Sequence, residues 1–186
     1  MFERVETELD GVCILRPRIF HDWRGWFGEM YHAEKFAALG IHDRFVQDNQ
    51  SYSTKHTLRG LHYQINRPQA KLCRVLRGEV LEAVVDVRYG SPTFGKWVTH
   101  VLSAENKHVS YLPIGFAHGF VVLSEEAEFL YKCSDFYEPL GDAGVHWADP
   151  DLAIDWGVRN PRVSDKDSNY PRLADIPPER LGRYRP

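Results

Sequence analysis

From Val5 to about Tyr137 the chain falls into short β-forming runs of about five to eight residues, each closed by a compact turn, and helical periodicity is almost absent. That rhythm leaves few folds open. Within KLCRVLRGEVLEAVVDVR, period-two alternation sets Lys71, Cys73 and Val75 on one face and Leu72, Arg74 and Leu76 on the other. Arg77-Gly78-Glu79 reads as a hairpin turn in its middle. Further on, Tyr131 and Cys133 share a face opposite Leu130 and Lys132. One short helix is expected over Ala33 to Leu39, with Gly40 as its stop. Evenly spaced short strands of this kind predict an all-β antiparallel sandwich or barrel. Asp149-Pro150 and Pro161, Pro171, Pro177 and Pro178 then break residues 150–186 into an irregular cap, expected to close over one end of the barrel. No repeat or second domain is visible, so residues 1–186 read as a single domain.

Composition narrows the function classes. A chain of 186 residues can bury a substantial core, and a net charge of −3 argues against a nucleic-acid or anionic-membrane surface built on bulk charge. Any anionic ligand must be held by a local cluster of arginines. Cys13, Cys73 and Cys133 are odd in number and lack a C-x-x-C pair, which suggests neither a disulfide framework nor a zinc knuckle. A reducing, cytoplasmic setting is expected, with no signal-peptide core and no apolar window of membrane-spanning length.

Two stretches carry the chemistry: Thr57 to Gln64, TLRGLHYQ, and Tyr111 to Leu123, YLPIGFAHGFVVL. Each presents one histidine, His62 or His118, among apolar neighbours with glycine beside it. A histidine in a strand is more often packed than catalytic, so company matters. An amide-rich strand, FVQDNQSY, either lies exposed or lines a polar cavity. Pro113, Gly115 and His118 match the second motif, P-x-G-x-x-H, of the metal-binding cupins. Their first motif asks for H-x-H, but His62 is followed by Tyr63 and Gln64. A transition metal would lose a main ligand, so no metal is expected.

The segments DWRGWFGEMY, FVQDNQSYS, LRGLHYQ, PQAKLCRV, VVDVRYGSPTFGKW, LPIGFAHGF, LYKCSDFY and GVHWADPDLAIDW with SDKD together resemble the dTDP-4-dehydrorhamnose 3,5-epimerase family, from about Phe20 to Asp167. The resemblance implies a cupin-like double-stranded β-helix, a jelly-roll barrel with short peripheral helices. It implies an isomerase that inverts carbons 3 and 5 of a dTDP-4-keto-6-deoxyhexose through an enolate, without a cofactor, in L-rhamnose or other deoxysugar biosynthesis. By the same resemblance His62 is the general base and Asp167 its orienting partner. Lys71 is the electrophile at the enolate oxygen, and Tyr131 the acid on the opposite face. Arg24, Glu29, Gln47, Asp48, Asn49, Arg59, His118, Asp142 and Lys166 match substrate-binding positions. The family's N-terminal strands reach into a partner's sheet, which implies a homodimer in which Arg24 and Glu29 serve the neighbouring site. His56 and Cys73 depart from the family pattern beside the site, and Asp142 stands where glutamate is commoner. Other readings are an epimerase acting at carbon 3 or carbon 5 alone, a metal-dependent cupin such as a dioxygenase, and a non-catalytic sugar-nucleotide binder.

Overall fold

Alternating β-branched and aromatic residues pair the chain into strands whose two faces go to different neighbours. The structure, a computed structural model, describes residues 2–184. Strands β1 (Phe2–Glu6) and β2 (Cys13–Pro17) form one hairpin, and β3 (Ile19–Asp22) and β4 (Gly25–Gly28) a separate one; Glu29 lies just past the latter's end. Helix α1 (Ala33–Ala38) follows. The body is built from β5 (Gln47–Thr54), β6 (Leu58–Gln64), β7 (Lys71–Arg77), β8 (Glu79–Asp86), β9 (Arg88–Tyr89), β10 (Trp97–Ser103), β11 (Val109–Leu112), β12 (Phe116–Val122), β13 (Glu126–Cys133) and β14 (Asp142–Gly144). Helix α2 (Asp165–Ser168) and β15 (Gly182–Arg183) complete the order. Among the described residues no helix is long and apolar enough to cross a membrane.

One sheet has six strands in the order β1-β2-β11-β7-β13-β5, the other five in the order β10-β8-β12-β6-β14. From β5 to β8, and again from β10 to β14, consecutive strands alternate between the sheets. This winding is the double-stranded β-helix of a jelly roll. It corrects the reading of Arg77-Gly78-Glu79, because β7 and β8 lie in different sheets and do not pair. The turn crosses the barrel wall. Gly78 is needed there, with φ +75° and no room for a Cβ against the Glu126 carbonyl.

Between the sheets lies a core that includes Val75, Val80, Val84, Val98, Leu102, Phe120 and Phe129. The opposite faces of β6, β8 and β12 present Leu61, Ala83, Val85, Ala117 and Val121 to the C-terminal segment, which covers them with Leu152, Trp156, Leu173, Ile176 and Leu181. Covered on both sides, β12 is buried at every position. While Lys166 reaches the cavity lining, residues after 150 therefore pack largely on a sheet face, held there by these apolar side chains. Each large one contributes about 1.5–3 kcal/mol on burial, enough to hold a segment with little regular structure. Buried Asp149 fixes the segment's course by accepting from the Leu173 N–H at 2.7 Å and the Asp151 N–H at 2.9 Å. Outside the six-stranded sheet, Phe36 of α1 packs with Phe2, Leu15, Leu72 and Tyr111.

Candidate active site

Arg59 and His62 are three residues apart, a spacing that would send their side chains to opposite faces of a regular strand. The β6–β12 register shows why they share a cavity: His62 pairs with His118 and Arg59 with Phe120, so β6 carries one residue more than its partner. This β-bulge re-aims Arg59 into the barrel. It centres on Gly60, at φ +130°, facing Gly119 so closely that a Cβ on Gly119 would lie 2.6 Å from the Arg59 carbonyl oxygen. Two glycines let the strands touch where the bulge bends one of them.

His62 stands in the wall of a cavity of about 410 Å³, a size suited to a small ligand. Its Nε2 lies 2.8 Å from Asp167 Oδ1. A carboxylate only accepts, so Nε2 carries the proton and Nδ1 keeps its lone pair. Asp167 reaches the ring from α2, whose N-cap Ser164 Oγ accepts from the Asp167 N–H at 3.1 Å, and its Oδ2 accepts from the Gly60 N–H at 3.0 Å. Burial pushes the Asp167 carboxyl upward, but the His62 hydrogen bond and charge, with the Gly60 amide, outweigh it and hold the group below its ordinary value. The histidine side chain is 31% exposed and the aspartate 6%, so the carboxylate is sheltered and the imidazole faces the cavity.

Lys71 and Tyr131 come from the opposite sheet, on neighbouring strands β7 and β13, and line the same cavity. The Lys71 ammonium sits 5.7 Å from the Tyr131 ring centroid. Burial pulls the lysine's pKa down, while nearby Cys73, Cys133, Glu82 and Asp142 oppose that. Burial pushes the Tyr131 phenol up to about 12, which keeps it protonated as a donor. His118 is nearly buried, its ring 6.1 Å from that of Tyr131, and its Nδ1 donates to Glu82 Oε1 at 3.2 Å.

The expected binding residues divide by strand geometry. Gln47 and Asn49 line the cavity, linked by a Gln47 Nε2 to Asn49 Oδ1 bond of 3.1 Å, whereas Asp48 between them points out and pairs with Lys132 at 2.9 Å. Arg59 is steadied by Ser53 Oγ at 2.9 Å. Asp142 and Lys166 form an ion pair at the rim, beside Tyr170, whose ring meets His62 edge-on at 5.8 Å. Arg24 and Glu29 lie outside this cavity, bound at 2.6 Å to Asp22 and Lys35 respectively. Sequence reasoning missed Glu82 and Tyr170. Glu82 had a signal, a lone acid inside the apolar run VLEAVV; Tyr170, in the proline-broken tail, had none.

Cys73, Glu82 and His118 bring one donor atom each within 4.8 Å of one another. The set suits a cation poorly: burial raises the thiol well above its ordinary value, both Glu82 oxygens already accept hydrogen bonds, and the Lys71 charge is close by.

Comparison with known proteins adds an independent line. The family model described as dTDP-4-dehydrorhamnose 3,5-epimerase matches residues 6–175. A curated protein of that name from Shigella flexneri is 50% identical over 173 residues, covering 92% of this chain and 96% of that protein. One from Pseudomonas aeruginosa is 52% identical over 166 residues, covering 88% and 92%. Among solved structures, the dTDP-6-deoxy-D-glucose-3,5-epimerase of Legionella pneumophila in complex with dTDP-4-keto-L-rhamnose superposes with a TM-score of 0.97 at 48% identity, covering 100% of both chains.

Proposed function

This chain belongs to the dTDP-4-dehydrorhamnose 3,5-epimerase family, and we propose that its barrel cavity inverts carbons 3 and 5 of a dTDP-4-keto-6-deoxyhexose by proton removal on one ring face and return on the other. The observation that carries the reading is that His62 and Tyr131 project into one cavity from facing sheets. A sugar ring between them meets an imidazole on one side and a phenol on the other. Hydrogens next to a ketone are acidic enough to leave as protons, so the chemistry needs no redox partner. His62 Nδ1 takes the proton, and Asp167 keeps the imidazole in the tautomer that allows it and stabilises the imidazolium. The Lys71 ammonium meets the developing enolate oxygen where little water screens it. Tyr131 then protonates the carbon. Each inversion leaves His62 with one proton more and Tyr131 with one fewer, and exchange with water restores both.

Arg59 and Lys166 are the cavity's cations for the diphosphate, and Gln47 and Asn49 supply amides for the nucleoside. Arg24 and Glu29 serve a neighbouring subunit's cavity in this reading. The β3–β4 hairpin supports a homodimer with exchanged strands, since Trp23 is 93% exposed, Phe27 71% and Trp26 54%, an apolar projection left largely open by the described residues. Three buried free cysteines suit a reducing cytoplasm. The test is to incubate the protein with dTDP-4-keto-6-deoxyglucose and identify the product by NMR. The L-rhamno product, inverted at both centres, is expected. Inversion at carbon 3 or carbon 5 alone assigns the narrower activity, and unchanged substrate contradicts the epimerase reading.

A further inference from the structure

Glu82 is fully buried on β8, yet no step above uses it. Burying a carboxylate is unfavourable unless its lone pairs are met, so its presence in the apolar run Val80 to Val87 calls for a reason. Both oxygens are engaged. Oε2 accepts from His100 Nε2 at 2.6 Å, and that nitrogen also lies 3.0 Å from Ser110 Oγ; Oε1 accepts from His118 Nδ1 at 3.2 Å. Hydrogen bonds from the two imidazoles overcome burial and keep the carboxyl ionised well below its ordinary range. His100 thus clamps the carboxylate, and the carboxylate holds His118. The other nitrogen of His118, Nε2, has no protein partner among the described residues, and the ring borders the cavity directly across the strand pair from His62.

We propose that Glu82 is a positioning residue: it fixes His118 as the neutral Nδ1–H tautomer, so that the Nε2 lone pair accepts a hydrogen bond from a sugar hydroxyl beside the reacting carbons. The inference rests on the epimerase reading and deepens it by assigning the sugar a second histidine–carboxylate pair. Burial and the Lys71 charge take the His118 imidazole down to about 4, against the pull of Glu82, so the ring remains neutral at working pH. A neutral ring with its Nδ1–H committed can only accept at Nε2. The alternative is a purely structural bond closing a buried polar cluster.

The experiment compares wild type with Glu82→Gln. An amide presents an acceptor at one end and a donor at the other, so it cannot accept from both histidines and leaves the His118 tautomer unfixed. The rate with the keto-sugar should fall about ten- to hundred-fold, the scale seen when the partner that orients a ligating histidine is removed. Affinity for dTDP, which lacks the sugar, should change less than about two-fold. Ring-nitrogen NMR of wild type labelled with ¹⁵N-histidine should show His118 protonated at Nδ1 only. A folded Glu82→Gln protein with an unchanged rate overturns the proposal, and so does a wild-type His118 protonated at Nε2. If the variant does not fold, the wild-type spectrum is recorded with the keto-sugar nucleotide and with dTDP: the His118 Nε2 resonance should move with the first and not with the second, and no movement overturns the proposal. That spectrum is independent of turnover, so a chain inactive on the keto-sugar would contradict the epimerase reading without altering this result.

Discussion

At the scale of single residues, the site is two histidine–carboxylate pairs facing a buried lysine and a half-buried tyrosine, and each member predicts a different loss. Asp167→Asn should lower turnover by about 10³–10⁴-fold, because an amide can hold the imidazole in the wrong tautomer, measured as steady-state epimerisation. Tyr131→Phe should still exchange substrate hydrogen with heavy water through His62 while forming no inverted product; full product formation would remove the phenol from the acid role. In the proposed reaction Lys71 acts as the ammonium, and burial holds its pKa below the ordinary lysine value. Turnover should therefore fail on the alkaline side below about pH 10.4, where an exposed lysine would still be charged. Tyr131, at about 12, remains protonated through that window, so the limb reports the lysine. Part of this was legible in sequence: alternation set Lys71 with Cys73 on one face of its strand and Tyr131 with Cys133 on one face of another, while only the resemblance brought the two strands to one site. Asp48 was grouped with Gln47 and Asn49 through the resemblance, and the same alternation turns it outward.

Among elements, the strand rhythm predicted an antiparallel sandwich or barrel and the family resemblance narrowed it to a jelly roll, but the pairing of strands was in neither. Arg77-Gly78-Glu79 has the chemistry of a reversal, and turn chemistry does not say whether the returning strand stays in its sheet or crosses to the other. The bulge at Gly60 was equally hidden, since it exists only relative to β12. Its tightness is testable: Gly119→Ala must push the Arg59 backbone away, and should cost about 1–3 kcal/mol in a denaturation experiment. The C-terminal segment links stability to the site. The Asp167 carboxyl is held below its unfolded value, so its stabilisation is present in full above the ordinary carboxylate pKa and is lost as pH falls through the folded one. Acid should thus loosen α2 from His62, and Asp167→Asn should flatten the acid limb of melting temperature against pH.

For the whole molecule, the proposed homodimer would carry Arg24, which lies outside its own chain's cavity beside an exposed hairpin, into a neighbouring site. Mixing two inactive variants, Arg24→Ala and His62→Ala, should restore part of the activity if subunits exchange, because some sites then hold an intact Arg24 from one chain and an intact His62 from the other. The claim on which the rest depends is that one imidazole and one phenol work on opposite faces of the same ring, with water refilling both. The most direct measurement is to incubate wild type with dTDP-4-keto-6-deoxyglucose in heavy water and follow carbons 3 and 5 by NMR, with His62→Ala alongside. Wild type should place deuterium at both inverted carbons, and His62→Ala should place none while binding dTDP normally. Inversion without solvent deuterium, or wild-type exchange in the variant, would contradict the account.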